Sequence, residues 1–185
     1  RASLEAVFAP LRGRVAVLPN GIDDLGVAAP LPAPRPFDRK EKLVLSVGGI
    51  GLPEKNHGVL LDALETLDPG EWTFAFVGPV QSAFEPRVAR FFERRPDLLG
   101  RVVFTGEVRD RAILYDWYDR ARVSCLPSQG ESFGIVVVEA LAFGHHMLLS
   151  SRAPSAVEVC DGVRFSTSLD PGDPEAWRSA LAKVF

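Results

Sequence analysis

Three charged side chains are spaced so that they could grip one ligand: Lys55, Glu131 and Glu139. The two glutamates are eight residues apart and bracket Ser132-Phe133-Gly134-Ile135-Val136-Val137-Val138, a stretch that starts as a loop and turns into a helix. At ~1.5 Å rise per helical residue, two such carboxylates cannot close on one bond as a tight acid–base pair. They would instead hold two parts of an elongated ligand. The helix start at Phe133-Gly134-Ile135-Val136 offers backbone amides without intrahelical partners and the positive end of a dipole. Gly134 lets a ligand approach the backbone, and phosphate is the usual anion at such a start. Lys55 stands just before a second helix start, Asn56-His57-Gly58, where an ammonium again suits phosphate. Two anion sites at neighbouring strand ends suggest a diphosphate. Taken singly, each residue has an ordinary explanation: a solvated loop lysine, an acidic charge at a helix start, a buried glutamate in an ion pair. The three at this spacing point to function.

These residues need elements that bring them together. From Lys42 onward strand and helix patterns alternate. Leu43 to Val47 reads as a buried strand followed by Gly48-Gly49-Ile50-Gly51. A helix with Asn56 as N-cap runs to Leu67, its apolar side formed by Leu60, Leu61, Leu64 and Leu67. A strand at Trp72 to Val77, a helix at Glu85 to Arg94 and a strand at Arg101 to Thr105 follow. The next helix spans Asp110 to Ala121 with Ile113, Leu114, Trp117 and Tyr118 as its apolar side. Val123 to Leu126 is a strand that ends at Pro127. After the helix carrying Glu139 come a strand at Met147 to Ser150, a short helix at Ala156 to Val159 and a short strand at Val163 to Phe165. Asp173-Pro174-Glu175 starts a last helix, with aspartate as cap and proline at its first position.

The helix between Gly134 and Gly144 conflicts with its own composition. Ile135-Val136-Val137-Val138 is a β-branched run that would favour a strand. Glu139-Ala140-Leu141-Ala142 and the stop at Gly144 favour a helix. A helix apolar nearly all round is expected to be buried, and a buried Glu139 needs a partner for its charge.

Short apolar strands joined by helices predict an α/β fold, a doubly wound parallel sheet of Rossmann-like type. Such sheets bind ligands beyond the carboxyl ends of their strands. The turns there are Gly48 to Lys55, Gly78 to Ala83, Gly106 to Arg109 and Pro127 to Gly134. Ahead of the alternating region, Arg14 to Leu18 reads as a strand closed by Pro19-Asn20-Gly21. Residues 1–42 are expected to be this entry strand and a Pro/Ala-rich connecting segment belonging to the same domain, extended by Pro30, Pro32, Pro34 and Pro36. Residues 43–185 form the ligand-binding domain.

The net charge of −3 over 185 residues, with no basic run, excludes nucleic acid as an expected partner. No apolar stretch approaches the length that crosses a bilayer, and no signal peptide opens the chain. Cys125 and Cys160 read as reduced thiols of a cytoplasmic protein. The only methionine is Met147 and the chain starts at Arg1, so a piece of a longer protein is expected. Gly49-Ile50-Gly51 opens a dinucleotide fingerprint, but Glu54 stands at the third glycine's place, so a tight turn is the better reading. His145-His146 has no acidic or cysteine neighbours suited to a metal and reads as a polar turn.

The sequence resembles the C-terminal domain of group 1, family 4 retaining glycosyltransferases of GT-B fold. The residues that carry the resemblance are Pro127-Ser128, Glu131-Ser132-Phe133-Gly134 and Glu139-Ala140-Leu141-Ala142-Phe143-Gly144. Supporting matches are Leu18-Pro19-Asn20-Gly21-Ile22-Asp23, Val47-Gly48 with Pro53-Glu54-Lys55-Asn56, Phe76-Val77-Gly78 and Phe104-Thr105-Gly106-Glu107-Val108. They run in order from about Arg14 to the end. The resemblance implies one half of a two-domain enzyme of hexosyltransferase type, inactive by itself, whose acceptor domain lies N-terminal to it. It implies a nucleotide-diphospho-sugar as substrate, with uridine favoured and guanosine possible, and no metal or other cofactor. Membrane contact would come only through the absent domain. Glu139 would hold the ribose hydroxyls and Glu131 would face the donor sugar. Lys55 would stabilise the departing diphosphate, with Glu131 and Lys55 as the catalytic pair. Ser132, Phe133, Gly134, Ile135 and Val136 would line the donor, with Gly49 at the phosphates and Val108 edging the base.

The sequence departs from this family at three turns. An arginine usually follows the Val-Gly; here Gly49 or Ile50 takes that place, which would weaken a phosphate clamp by ~1.5–3 kcal/mol unless another cation replaces it. Arg109 and Arg152 are the candidates. Gly144-His145-His146 and Arg152-Ala153-Pro154-Ser155-Ala156 replace a small residue with proline and a glycine-rich turn. A binding module that has lost transfer, or a sugar-nucleotide epimerase of related fold, are the alternative readings.

Overall fold

The computed structural model describes residues 32–161 and 165–185. Six strands are β1 Leu43–Val47, β2 Thr73–Val77, β3 Val102–Phe104, β4 Val123–Leu126, β5 His146–Ser150 and β6 Ser166–Leu169. Six α-helices alternate with them: α1 Gly58–Thr66, α2 Glu85–Arg94, α3 Arg111–Arg120, α4 Ile135–Ala142, α5 Pro154–Cys160 and α6 Pro174–Val184. The strands form one parallel sheet in the order β3-β2-β1-β4-β5-β6. This is the Rossmann-like order, with helices on both faces as the apolar strands require.

The period-2 alternation of side chains sorts the core into two layers. Val44, Phe74, Phe76, Val123 and Leu148 face α1, α2 and α6, where Leu60, Leu64, Phe91, Trp177 and Leu181 close the layer. Leu43, Leu45, Val77, Met147 and Leu149 face α3, α4 and α5, where Tyr118, Val137, Ala140, Phe143 and Ala156 close the other. Cys125 and Cys160 are free and buried, and burial pushes both thiols up, away from the reactive thiolate.

The loops after β1 and β2 meet closely. Gly78 adopts a φ of 136°, and a Cβ there would stand 2.0 Å from the Gly48 carbonyl oxygen, so only glycine fits. Asp173 caps α6 as its Asp-Pro-Glu start predicts, its carboxylate accepting from the Glu175 and Ala176 amides. Pro32, Pro34 and Pro36 are exposed and lie in extended chain leading to a single turn at Phe37–Arg39.

The expected strand at Arg14 to Leu18 and turn at Pro19-Asn20-Gly21 lie outside the described residues, as does Val163. The last strand is Ser166–Leu169, a polar-laced strand paired with β5 from Met147↔Ser166 to Ser150↔Leu169. It sits at the sheet edge, where an apolar run is not needed. Asn56 is not the N-cap of α1: it is left-handed (φ 53°) and the helix starts at Gly58. α3 turns Tyr115 and Tyr118 inward and leaves Ile113 53% exposed, because both tyrosine rings pack 5.7 Å from the Phe143 ring. Finally, α4 is buried on one side only. Val137, Glu139 and Ala140 face the core, while Ile135 at its amino end is 47% exposed.

Candidate functional site

The strand order reverses between β1 and β4, the place where sheets of this class form their ligand crevice, at the carboxyl ends of the strands. The β1 loop carries Lys55 at the end of a single turn, Pro53–Lys55. The β4 loop carries Glu131. Lys55 Nζ and Glu131 Oε2 meet at 2.5 Å across the crevice, both only partly exposed. The second Glu131 oxygen accepts from the Ser132 amide at 3.1 Å. An ammonium and a carboxylate from separate loops are thus held where the fold class places its ligands.

Gly134 ends the β4 loop in the left-handed region, φ 74°, immediately before α4. A Cβ there would press against Glu131 Cγ and Leu126 Cδ2, both at 3.3 Å. Gly134→Ala should therefore cost ~1–2 kcal/mol from backbone conformation alone and also displace Glu131. Urea denaturation checks the first effect; an unchanged midpoint would contradict it.

Glu139 is 4% exposed, and its charge has two partners. The Tyr118 hydroxyl donates to Oε2 at 2.9 Å, and the Arg111 guanidinium lies 3.3 Å from Oε1. Arg111 is itself fixed by a 2.7 Å hydrogen bond to the Tyr115 hydroxyl and lies 5.0 Å over that ring. Burial and the Glu139 charge push the Tyr118 hydroxyl well above the usual phenol range, so it stays a donor. The buried glutamate is therefore ion-paired as well as hydrogen-bonded to a phenol, which answers the expected need of its charge for a partner.

A second polar chain anchors α3 from below. His145 is buried, its Nδ1 2.7 Å from Ser124 Oγ and its Nε2 2.5 Å from the Tyr118 carbonyl. Burial lowers its pKa from 6.5 to about 4, so the ring is neutral. The carbonyl requires the proton on Nε2, which leaves Nδ1 to accept from Ser124. Lys40 adds bonds to the Tyr118 and Asp119 carbonyls at the same helix end. His57 plays a parallel part under the β1 loop, where its Nδ1 accepts from the Gly51 amide at 3.3 Å. Burial and the nearby Lys55 lower its pKa to about 4.

Ser132 is exposed, while Phe133, Val136 and Gly49 are half-buried around the crevice loops. Val108 packs against the α3–α4–α5 layer. Both arginines offered as a replacement clamp have other partners. Arg109 is largely exposed and paired with Glu107, and Arg152 engages Asp170 and Gln129. Among the described residues no group of three or more His, Cys, Asp or Glu is placed to hold a metal. No helix among them is long and apolar enough to cross a membrane. A cavity of about 560 Å³ lies instead at the amino ends of β4 and β5, bordered by Val123, His146 and Trp72, and is mostly apolar.

Arg111, Tyr118, His57 and Asn56 are polar parts of the site that the sequence reading passed over or cast differently. Tyr118 was an apolar helix position and Asn56 a cap. The one local sign was a charged residue, Arg111, one turn before a tyrosine at 115.

Residues 41–185 match the family described as glycosyl transferases group 1. A D-inositol 3-phosphate glycosyltransferase of Xylanimonas cellulosilytica is 30% identical over 192 residues, covering 92% of this chain and 43% of that protein. A phosphatidyl-myo-inositol mannosyltransferase of Mycolicibacterium smegmatis is 34% identical over 146 residues, covering 78% and 36%. Among solved structures, the lipopolysaccharide outer core galactosyltransferase WaaB in its apo form aligns with a TM-score of 0.65 at 21% identity, covering 90% of this chain and 44% of that one. HepE of Anabaena, solved with UDP and glucose, aligns at 0.61 and 22% identity, covering 76% and 38%. The chain spans less than half the length of these relatives. The fold is that of one half of a GT-B enzyme, and the chain belongs to the group 1 glycosyltransferases.

Proposed function

We propose that this chain is the donor-binding domain of a retaining glycosyltransferase, holding a nucleotide-diphospho-sugar while its sugar passes to an acceptor hydroxyl. The observation that carries this reading is the meeting of Lys55 and Glu131 across the β1–β4 crevice. Transfer breaks an anomeric carbon–oxygen bond while negative charge grows on the diphosphate. A fixed ammonium and the amides at the start of α4 would stabilise that charge without a metal. Lys55 and Glu131 are the catalytic pair in this reading. Glu131 faces the donor sugar, released from Lys55 as the diphosphate takes over the ammonium. Glu139 holds the ribose hydroxyls, which requires Arg111 to yield one carboxylate oxygen. Ser132, Phe133, Gly134, Ile135 and Val136 line the donor, with Gly49 at the phosphates and Val108 at the base. Uridine is favoured among the bases, since a neighbour of the same fold was solved with UDP and glucose.

In this reading the acceptor site belongs to an N-terminal domain outside this chain, which would join it ahead of residues 1–42. A second reading has its own support. Gly49 supplies no cation, and Arg109 and Arg152 are engaged elsewhere. A domain that binds donor without catalysing transfer fits those facts.

A thermal-shift screen of UDP, GDP and ADP against the 185-residue chain tests the donor reading. A ligand at ~100 times its Kd adds ~2.7 kcal/mol of stability. UDP should give the largest shift, and equal absence of shift from all three would contradict the reading. Lys55→Ala should weaken UDP by about 10- to 100-fold, the loss of a charge-assisted bond of ~1.5–3 kcal/mol. Isothermal calorimetry reads it directly.

A further inference from the structure

Lys55 sits on a loop, and a lysine on a loop aims a charge only as well as its backbone is held. The next residue holds that backbone. Asn56 is the only residue other than glycine with positive φ among those described. Its side-chain amide donates to two carbonyls, Pro127 at 3.2 Å and Pro171 at 3.0 Å. Pro127 opens the β4 loop that carries Glu131, and Pro171 lies in the loop between β6 and α6. Two further bonds close the same junction. The Gln129 amide donates to the Glu54 carbonyl at 2.8 Å, and the Gln129 side chain donates to the Pro171 carbonyl at 3.2 Å. Three loops at the carboxyl end of the sheet therefore meet on one side chain, next to the lysine that faces Glu131.

We propose that Asn56 is a positioning residue that fixes the distance between Lys55 and Glu131 and so sets affinity for the diphosphate. The inference rests on the donor reading given above. Two demands fall on this position together. The backbone must be left-handed, which asparagine and glycine tolerate and most residues do not. The side chain must place two N–H donors against two carbonyls within one short reach. Glycine meets only the first demand. Aspartate has nearly the same shape but presents oxygens to the two carbonyls. Asparagine meets both.

Asn56→Gly is therefore an informative variant, because it keeps the backbone relaxed while removing both donors. Hydrogen exchange of the ligand-free 185-residue chain, read by mass spectrometry, is the first arm. Exchange at the Gln129 and Gly172 amides should speed up by about tenfold, with β1 and β4 unchanged. Asn56→Asp should loosen the same two loops at least as much. The second arm is calorimetry with UDP and with uridine. Asn56→Gly should weaken UDP by about tenfold and uridine by less than about twofold. In a Lys55→Ala background the same change should alter UDP affinity by less than about twofold, since the lysine it positions is gone. Unchanged exchange at Gln129 overturns the proposal. So does equal loss for uridine and UDP, or a loss that adds to that of Lys55→Ala. If the loops loosen as expected but wild-type protein binds no UDP, the junction stands and the donor reading falls.

Discussion

Lowering the pH from 7 to about 4 should remove several kcal/mol of stability through two buried histidines. His57 and His145 are neutral in the folded state, with pKa lowered from 6.5 to about 4 by burial. Unfolded, both titrate near 6.5. Between these values the unfolded chain binds more protons than the folded one, so stability falls as pH drops through this window. The contribution is fully present above about pH 7 and exhausted below about pH 4. At ~1.36 kcal/mol per pH unit, each ring contributes on the order of 3 kcal/mol. Burial lowers His146 in the same direction, so all three histidines of the chain act with one sign. Urea midpoints at pH 7.5, 6.5, 5.5 and 4.5 measure this. His57→Asn should reduce proton uptake on unfolding near pH 5.5 by about one. Equal midpoints at pH 7.5 and 5.5 would mean that these rings are not held as the structure shows.

The second large effect is expected at Glu139. Glu139→Ala deletes the acceptor of the buried Tyr118 hydroxyl and the counter-charge of Arg111. Arg111 is half exposed and can turn to water, so the main cost is the stranded phenol, ~1–3 kcal/mol. Under the donor reading the same change also removes the carboxylate that accepts ribose hydroxyls, which should weaken UDP by at least ~100-fold. Tyr118→Phe separates the two roles. It removes the stranded phenol, leaves the carboxylate with Arg111, and should lower UDP affinity by less than ~10-fold. Thermal denaturation and calorimetry on both variants read stability and binding apart. Should Tyr118→Phe abolish binding as fully as Glu139→Ala, Glu139 would not be the group that touches the ligand.

Much of the sheet was legible in the sequence because its strands are bounded by residues that punctuate the backbone. Leu43–Val47 ends at Gly48 and Val123–Leu126 ends at Pro127, and both strands fall at their expected limits. The same holds for the helix Glu85–Arg94 and the Asp173 cap. β6 was displaced because an edge strand carrying Ser166, Thr167 and Ser168 has no apolar run to find. Local pattern also misassigned Asn56. An asparagine before a helix usually caps it, but here two carbonyls from distant loops claimed its side chain. Lys55, Glu131 and Glu139 were legible as candidates from residue type and spacing. The partners of Glu139 were not, since Arg111 and Tyr118 reach it from another helix and no period in the sequence records that contact. That Gly49 and not an arginine follows Val47-Gly48 was visible in the sequence, whereas the engagement of Arg109 with Glu107 and of Arg152 with Asp170 required the structure.

In the proposed function, the crevice between the β1 and β4 loops binds a nucleoside diphosphate. Titration calorimetry of the 185-residue chain with UDP tests it most directly. Saturable binding is expected with a Kd below about 1 mM, a free energy better than about −4 kcal/mol, weakened by Lys55→Ala and by Glu139→Ala separately. No heat of binding at millimolar UDP, or equal affinity in wild type and both variants, would contradict it.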